Sequence, residues 1–143
     1  MSKGNVFEND LLKLIFQATA IANLADNAAT SPLTNLYVSL HTADPGEAGD
    51  QSTSEATYTG YARVAVARTS GGWTVTGNAV ENAAAINFPA CTGGSNTITH
   101  FGVGTLSSGT GKLLYSGALT ASLAVSAGIT PSFAAGTLDI TED

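Results

Sequence analysis

The chain has 143 residues, five Lys or Arg against eleven Asp or Glu, a net charge of −6 and one cysteine. A length near that of one ordinary core argues for one domain overall, while Lys3, Lys13, Arg63, Arg68 and Lys112 are too few and too scattered for the basic face that nucleic acid needs. Cys91 alone excludes an intramolecular disulfide and a Cys-rich zinc module, and no apolar run reaches the roughly 18–20 residues of a bilayer span, so neither nucleic acid nor membrane is an expected partner.

Residues 1–35 read as a helical arm. Phe7, Leu11, Leu14, Ile15, Ala18, Ala22 and Ala25 recur every three or four positions and so share one helical face. Asn5 or Asn9 suits the N-cap, and Glu8 and Asp10 sit where the helix dipole favours negative charge. The helix is expected to stop before Ser31-Pro32, because Pro32 disfavours helical geometry at the residue before it. Such an arm either covers the rest of the domain or reaches a neighbouring subunit. Phe7, Leu11, Leu12 and Phe16 are its candidate partner contacts.

From Leu36 the period changes to two, with Leu36, Val38 and Leu40 alternating with Tyr37, Ser39 and His41. Asp44-Pro45-Gly46 supplies turn chemistry, and residues 47–60, poor in aliphatics, read as a long exposed loop. Further strands are expected at 61–67, 73–76, 83–88, 97–104, 112–120, 123–126 and 137–141. Turn dipeptides such as Gly71-Gly72, Gly77-Asn78 and Gly93-Gly94 punctuate them, at the spacing of an all-β fold. The expected fold class is mainly β: an antiparallel β-sandwich over 36–143, a jelly roll being one such arrangement, with an N-terminal α-helix.

The motifs that carry chemistry fail on inspection. Gly109-Thr110-Gly111-Lys112 lacks both the earlier Gly of a phosphate loop, where Leu106 stands, and the Ser or Thr after the Lys, where Leu113 stands. His41 and His100 have no companion at a familiar zinc spacing. Asp44, Glu47, Asp50 and Glu55 share a loop and suit calcium in type, without the spacing of a known calcium loop. No Gly-x-Ser-x-Gly elbow occurs, and Cys91 in PACTGG has no nearby His. No catalytic residue, metal or cofactor is therefore expected, and the chain is not expected to be an enzyme. Tyr58 and Tyr61 flank Gly60 at the loop's edge and are the remaining contact candidates, for a protein partner or for stacking on a sugar.

Six segments taken together resemble a family of small virion proteins of tailed bacteriophages: LYVSLHTADPGEAG from Leu36, YTGYARVAV from Tyr58, AINFPA from Ala85, THFGVGTL from Thr99, LLYSGALTASLAVSAG from Leu113 and ITPSFAAGTLDITED from Ile129. The resemblance implies a structural part of a virus particle, made in the host cytoplasm, and carries no catalytic residues. Similar phage proteins are labelled tail-fibre proteins, and β-sandwiches of this size also serve as capsid cement or decoration proteins. The chain lacks the heptads and repeats of a fibre shaft, which favours cement. The expected partners are then the major capsid protein and the chain itself, as a homo-dimer or homo-trimer. A tail-fibre role and a glycan-binding adhesive module are the alternatives.

Overall fold

A computed structural model describes residues 5–21 and 32–142. Among the described residues one helix, α1 (Asn5–Gln17), precedes nine strands: β1 (Asn35–His41), β2 (Val64–Ala67), β3 (Trp73–Thr76), β4 (Ala79–Asn82), β5 (Ile86–Asn87), β6 (Ser95–Gly104), β7 (Leu113–Ser126), β8 (Ser132–Phe133) and β9 (Asp139–Thr141). The fold is mainly β and antiparallel with an N-terminal helix, consistent with a β-sandwich. The strands form sheets in the orders β2-β1-β6-β7, β3-β4-β9 and β5-β8. The chain divides into two compact units, each discontinuous in sequence. The first draws on the described residues of Met1–Asn35, Val66–Ala85 and Phe133–Asp143, and the second on Leu36–Ala65 and Ile86–Ser132.

In the first unit, α1 packs on β3 and β4 through Glu8, Leu12 and Phe16, which are buried, while Phe7 stays 41% exposed. This stripe is displaced by one residue from the one the sequence suggests. The reason is tertiary: Phe16 meets the fully buried Trp73 edge to face, centroids 4.8 Å apart, and a large aromatic pair outweighs a row of smaller aliphatics. Asn9 Nδ2 donates to the Gly77 carbonyl at 2.7 Å and Gln17 Nε2 to that of Trp73 at 3.2 Å, fixing the helix along the hairpin of β3 and β4.

The helix ends at Gln17, well ahead of Pro32. Ala18 turns left-handed at φ 53, and the expected helical positions Ala22 and Ala25 lie outside the described residues. The last carbonyls of a helix lack intrahelical partners, and here a distant arginine supplies them. Arg68 Nε donates to the Ile15 carbonyl and Nη2 to that of Leu14, both at 2.7 Å, while Nη1 reaches the Leu33 carbonyl at 2.7 Å.

The expected strand at 83–88 shrinks to β5, and a strand the sequence did not mark, β4, precedes it and ends at Asn82. Its fully buried side chain donates to the carbonyls of Ala84 and Ala134, each at 2.8 Å, and accepts from the backbone amides of Thr137 at 3.1 Å and Leu138 at 2.9 Å. All four polar valences of the amide are used. They hold the segment entering β9 beside β4, where Val80 pairs with Ile140.

The second unit centres on β1 and β6, antiparallel with Val38 opposite Val103 and His41 opposite His100. Both faces of β1 are covered: Ser39 and His41 are as buried as Leu36, Val38 and Leu40. The loop expected to be exposed does the covering, since Gln51, Ala56 and Tyr58 are all buried. A strand with polar residues on its second face needs hydrogen-bonding partners there, and the loop provides them. Glycines on β6 make the room. A Cβ at Gly102 would stand 2.7 Å from His41 Nε2 and from Ser39 Oγ, and one at Gly104 would collide with the Gln51 side chain.

Replacing Arg68 by Ala is expected to lower unfolding stability by about 2 kcal/mol, the scale of lost charge-assisted hydrogen bonds, and to raise amide exchange first in α1. Equal exchange increases in α1 and in β6 would show that Arg68 does not act on the helix end.

Candidate functional site

The polar side chains of the second unit form one connected network beneath the loop. His41 Nδ1 donates to the Thr53 carbonyl at 2.8 Å, which leaves Nε2 to accept from the Ser39 hydroxyl at 2.8 Å. Burial pushes the His41 pKa below its ordinary 6.5, against a smaller opposing effect of the Thr53 carbonyl. Beside it, Arg63 forms a fork-to-fork pair with Glu55, Nε to Oε1 at 2.7 Å and Nη2 to Oε2 at 2.8 Å. Its other donors reach the Leu106 carbonyl at 2.9 Å and the Gly109 carbonyl at 2.6 Å. Tyr61 closes the cluster, donating to Glu55 at 2.9 Å and accepting from the Leu40 amide at 3.0 Å. Its burial holds the phenol protonated far above the usual range.

Gln51 repeats the attachment. Its Nε2 donates to the Leu106 carbonyl at 3.2 Å, its Oε1 accepts from the Leu106 amide at 2.9 Å, and its own amide donates to the Thr110 carbonyl at 2.9 Å. Two side chains of the segment after β1 thus fasten the loop between β6 and β7.

This network is built to hold backbone. The Ser39–His41 pair has hydroxyl-to-imidazole geometry, but both residues are fully buried and the imidazole leans on a carbonyl rather than a carboxylate, so no substrate can reach the hydroxyl. The four acids considered for calcium are not brought together. Glu55 is committed to Arg63, Asp50 accepts from Ser52, and Asp44 accepts from the Gly46 amide. Ser52 holds the Asp50 carboxyl below its ordinary pKa. Among the described residues no group of three or more His, Cys, Asp or Glu is placed to hold a metal.

The contact candidates fall in three places. Leu12 and Phe16 are fully buried within the first unit, whereas Phe7 is exposed and Leu11 partly so. Tyr58 and Tyr61 do meet, edge to face at 5.3 Å, but in the interior: Tyr58 is 3% exposed with its hydroxyl on the Pro89 carbonyl at 3.0 Å, and Tyr61 stacks on Phe88. That pair offers no open platform to a sugar. Cys91 is buried, its thiol directed at the Gly93 carbonyl.

The surface feature of this unit is an open groove of about 640 Å³ lined by Asp44, Gly46, Glu47 and Gly49 on one side, by His100, and by residues 113–118 of β7. Of these the sequence offered only Asp44, Glu47 and His100, and those as metal ligands rather than as parts of a surface. The signal that marks β7 is its charge: between Lys112 and Asp139 no charged residue occurs.

A family model described as Podophage GP4 fiber I protein gp80 matches residues 2–141 of the chain. No curated protein matches it.

Arg63→Ala would remove the guanidinium from Glu55, from the Gly109 carbonyl and from the Leu106 carbonyl, leaving Glu55 to Tyr61 and Leu106 to Gln51, and is expected to cost roughly 3 kcal/mol in urea unfolding, against less for Glu55→Gln. Equal losses would show that the carbonyl contacts carry no weight. For His41 the folded pKa lies below the unfolded one, so its stabilising effect is complete above pH 6.5 and is lost as pH falls from there toward the folded pKa. Unfolding midpoints should therefore drop between pH 7 and pH 5, and His41→Gln should flatten that slope.

Proposed function

We propose that this chain, which belongs to the podophage GP4 fiber I protein gp80 family, is a fibre-associated structural protein of the phage virion. The observation that supports the reading is a family match running almost from end to end, over residues 2–141. The polar chemistry agrees with a structural role, since Arg63 and Glu55 of the second unit are spent on each other and on backbone, and His41 on the Thr53 carbonyl. On this reading the chain acts without catalysis, through contacts with itself and with other virion proteins.

Size and missing heptads argue that the chain is not a fibre shaft. A compact β protein enters a fibre as a repeated module, at its base, along it or at its end. Head cement, which the size and the missing heptads favour, is the competing arrangement, and it predicts a different stoichiometry because a shell offers far more equivalent positions than a tail.

Copies of this chain per purified particle, measured against the major capsid protein by quantitative mass spectrometry, separate the two. The fibre reading expects a few to some tens of copies, with antibody label at the tail. Hundreds of copies spread over the head would replace it with cement, and absence from the particle would overturn both.

A further inference from the structure

Glu8 is set apart from the other acids of the chain. It lies in the first turn of α1 and is 7% exposed, and its carboxylate has no hydrogen bond or ion pair among the described residues. Buried acids are as a rule paired, because taking an unpaired charge out of water is costly. The positive end of the helix favours a carboxylate at this place but leaves most of its lone pairs unmet. Among the described residues Trp73 Nε1 is the only side-chain N or O atom both sealed from solvent and without a partner. The Glu8 oxygens are therefore not sealed. The opening beside them is a cavity of about 150 Å³ that Glu8 lines together with Asn5, Gly77 and Asn78.

The other three lining residues bring further oxygens. Asn78 spends Nδ2 on the Glu142 carbonyl at 3.1 Å, so its Oδ1 is left over. The Gly77 carbonyl accepts from Asn9 Nδ2 at 2.7 Å and keeps a second lone pair. Asn5 is exposed, with its side-chain amide uncommitted among the described residues. No Lys or Arg belongs to the lining. One carboxylate and three neutral carbonyl oxygens thus border a space that holds an ion with roughly three or four waters, at about 30 Å³ each.

We infer that this cavity is a calcium site, with Glu8 as the anionic ligand and the oxygens of Asn5, Gly77 and Asn78 as neutral ones. Calcium takes roughly six to eight oxygens, mixes carboxylate with amide and backbone carbonyls, and completes its shell with water. Magnesium demands a near-ideal octahedron and gives up its own water reluctantly, so it fits this set less well. A single carboxylate, beside a helix end whose partial positive charge opposes a cation, sets the affinity low, at about 0.1–1 mM. In the loop after β1, by contrast, Asp44, Asp50 and Glu55 are each already bonded within the chain. Bound at Glu8, the ion ties the start of α1 to the turn between β3 and β4. Through Asn78 it also reaches the end of β9, since the Asn78 carbonyl accepts from the Glu142 amide at 2.8 Å.

The inference is independent of where in the virion the chain sits. Its test is an amide NMR titration of the purified full chain with calcium chloride, at constant ionic strength so that screening is held fixed. Saturable shifts are expected at the amides of Asn5–Asn9 and Gly77–Ala79, with a dissociation constant of about 0.1–1 mM and magnesium at least about tenfold weaker. Glu8→Gln keeps the shape of the side chain and removes its charge, so it should weaken calcium binding by about tenfold or more. Asn5→Asp adds a second carboxylate at a helix start, where aspartate is itself favoured, and should tighten binding about tenfold. That second variant keeps the test decisive if Glu8→Gln does not fold. Shifts that grow without saturating, saturable shifts centred on Asp44, Glu47 and Asp50 instead, or a dissociation constant unchanged by either substitution would each overturn the inference.

Discussion

The structure of the second unit depends on the guanidinium of Arg63. One planar group spends its donors on a carboxylate and on two backbone carbonyls, those of Leu106 and Gly109. The ion pair with Glu55 alone would be a weak source of stability, because removing two charges from water costs about as much as their attraction returns. The carbonyl contacts change its significance. They are backbone groups of a Gly-rich loop that has no ladder to join, and a buried carbonyl left unpaired is itself costly. Arg63 holds the carboxylate and the loop in one arrangement, and Tyr61 ties the same carboxylate to the amide of Leu40 on the central strand.

Around that anchor the unit buries an unusual amount of hydrogen-bonding chemistry for a chain with so few charges. Ser39, His41, Gln51 and Arg63 are all 8% exposed or less. A neutral imidazole between a hydroxyl and a carbonyl, and an amide bonded to both backbone groups of Leu106, are directional contacts. They specify one loop position where an apolar core would tolerate several. Gly102 and Gly104 are the counterpart on β6, vacating the volume that these side chains fill. The first unit solves the same problem with Asn82 and Arg68, each a single side chain that satisfies several backbone groups from distant parts of the chain.

This arrangement bears on the role of the protein. Polar groups used internally leave a surface of small neutral side chains, interrupted by few charges, and on β7 by none. Such a surface forgoes long-range electrostatic steering and offers close approach instead, which suits a part held in a fixed assembly more than one that must meet diffusing ligands. Membership of a phage fibre protein family and an uncharged β7, last in its sheet among the described residues, are consistent with one another in that respect.

Much was legible in the sequence, for reasons that individual residues show. Alternation at Leu36, Val38 and Leu40 and the glycine punctuation marked the β class, and Phe7 to Ile15 marked a helix, because period and turn chemistry are local properties of the chain. The helix end was not legible, since the group that caps Leu14 and Ile15 is Arg68, more than fifty residues away. The covering role of the loop was hidden for the same reason: a run of Ser, Thr and acids looks solvated unless one knows that Gln51 meets Leu106 and Glu55 meets Arg63. Nor could Phe16 and Tyr58 be told from surface contacts, because burial is decided within each unit by partners elsewhere in the chain, Trp73 for Phe16 and, for Tyr58, Tyr61 with Phe88 stacked on it. The sequence by itself determined the mainly β class with its helix, the low charge and the family likeness. Tertiary structure alone decided which polar side chains become internal anchors and in what order the strands pair, because both depend on contacts between residues far apart in the chain.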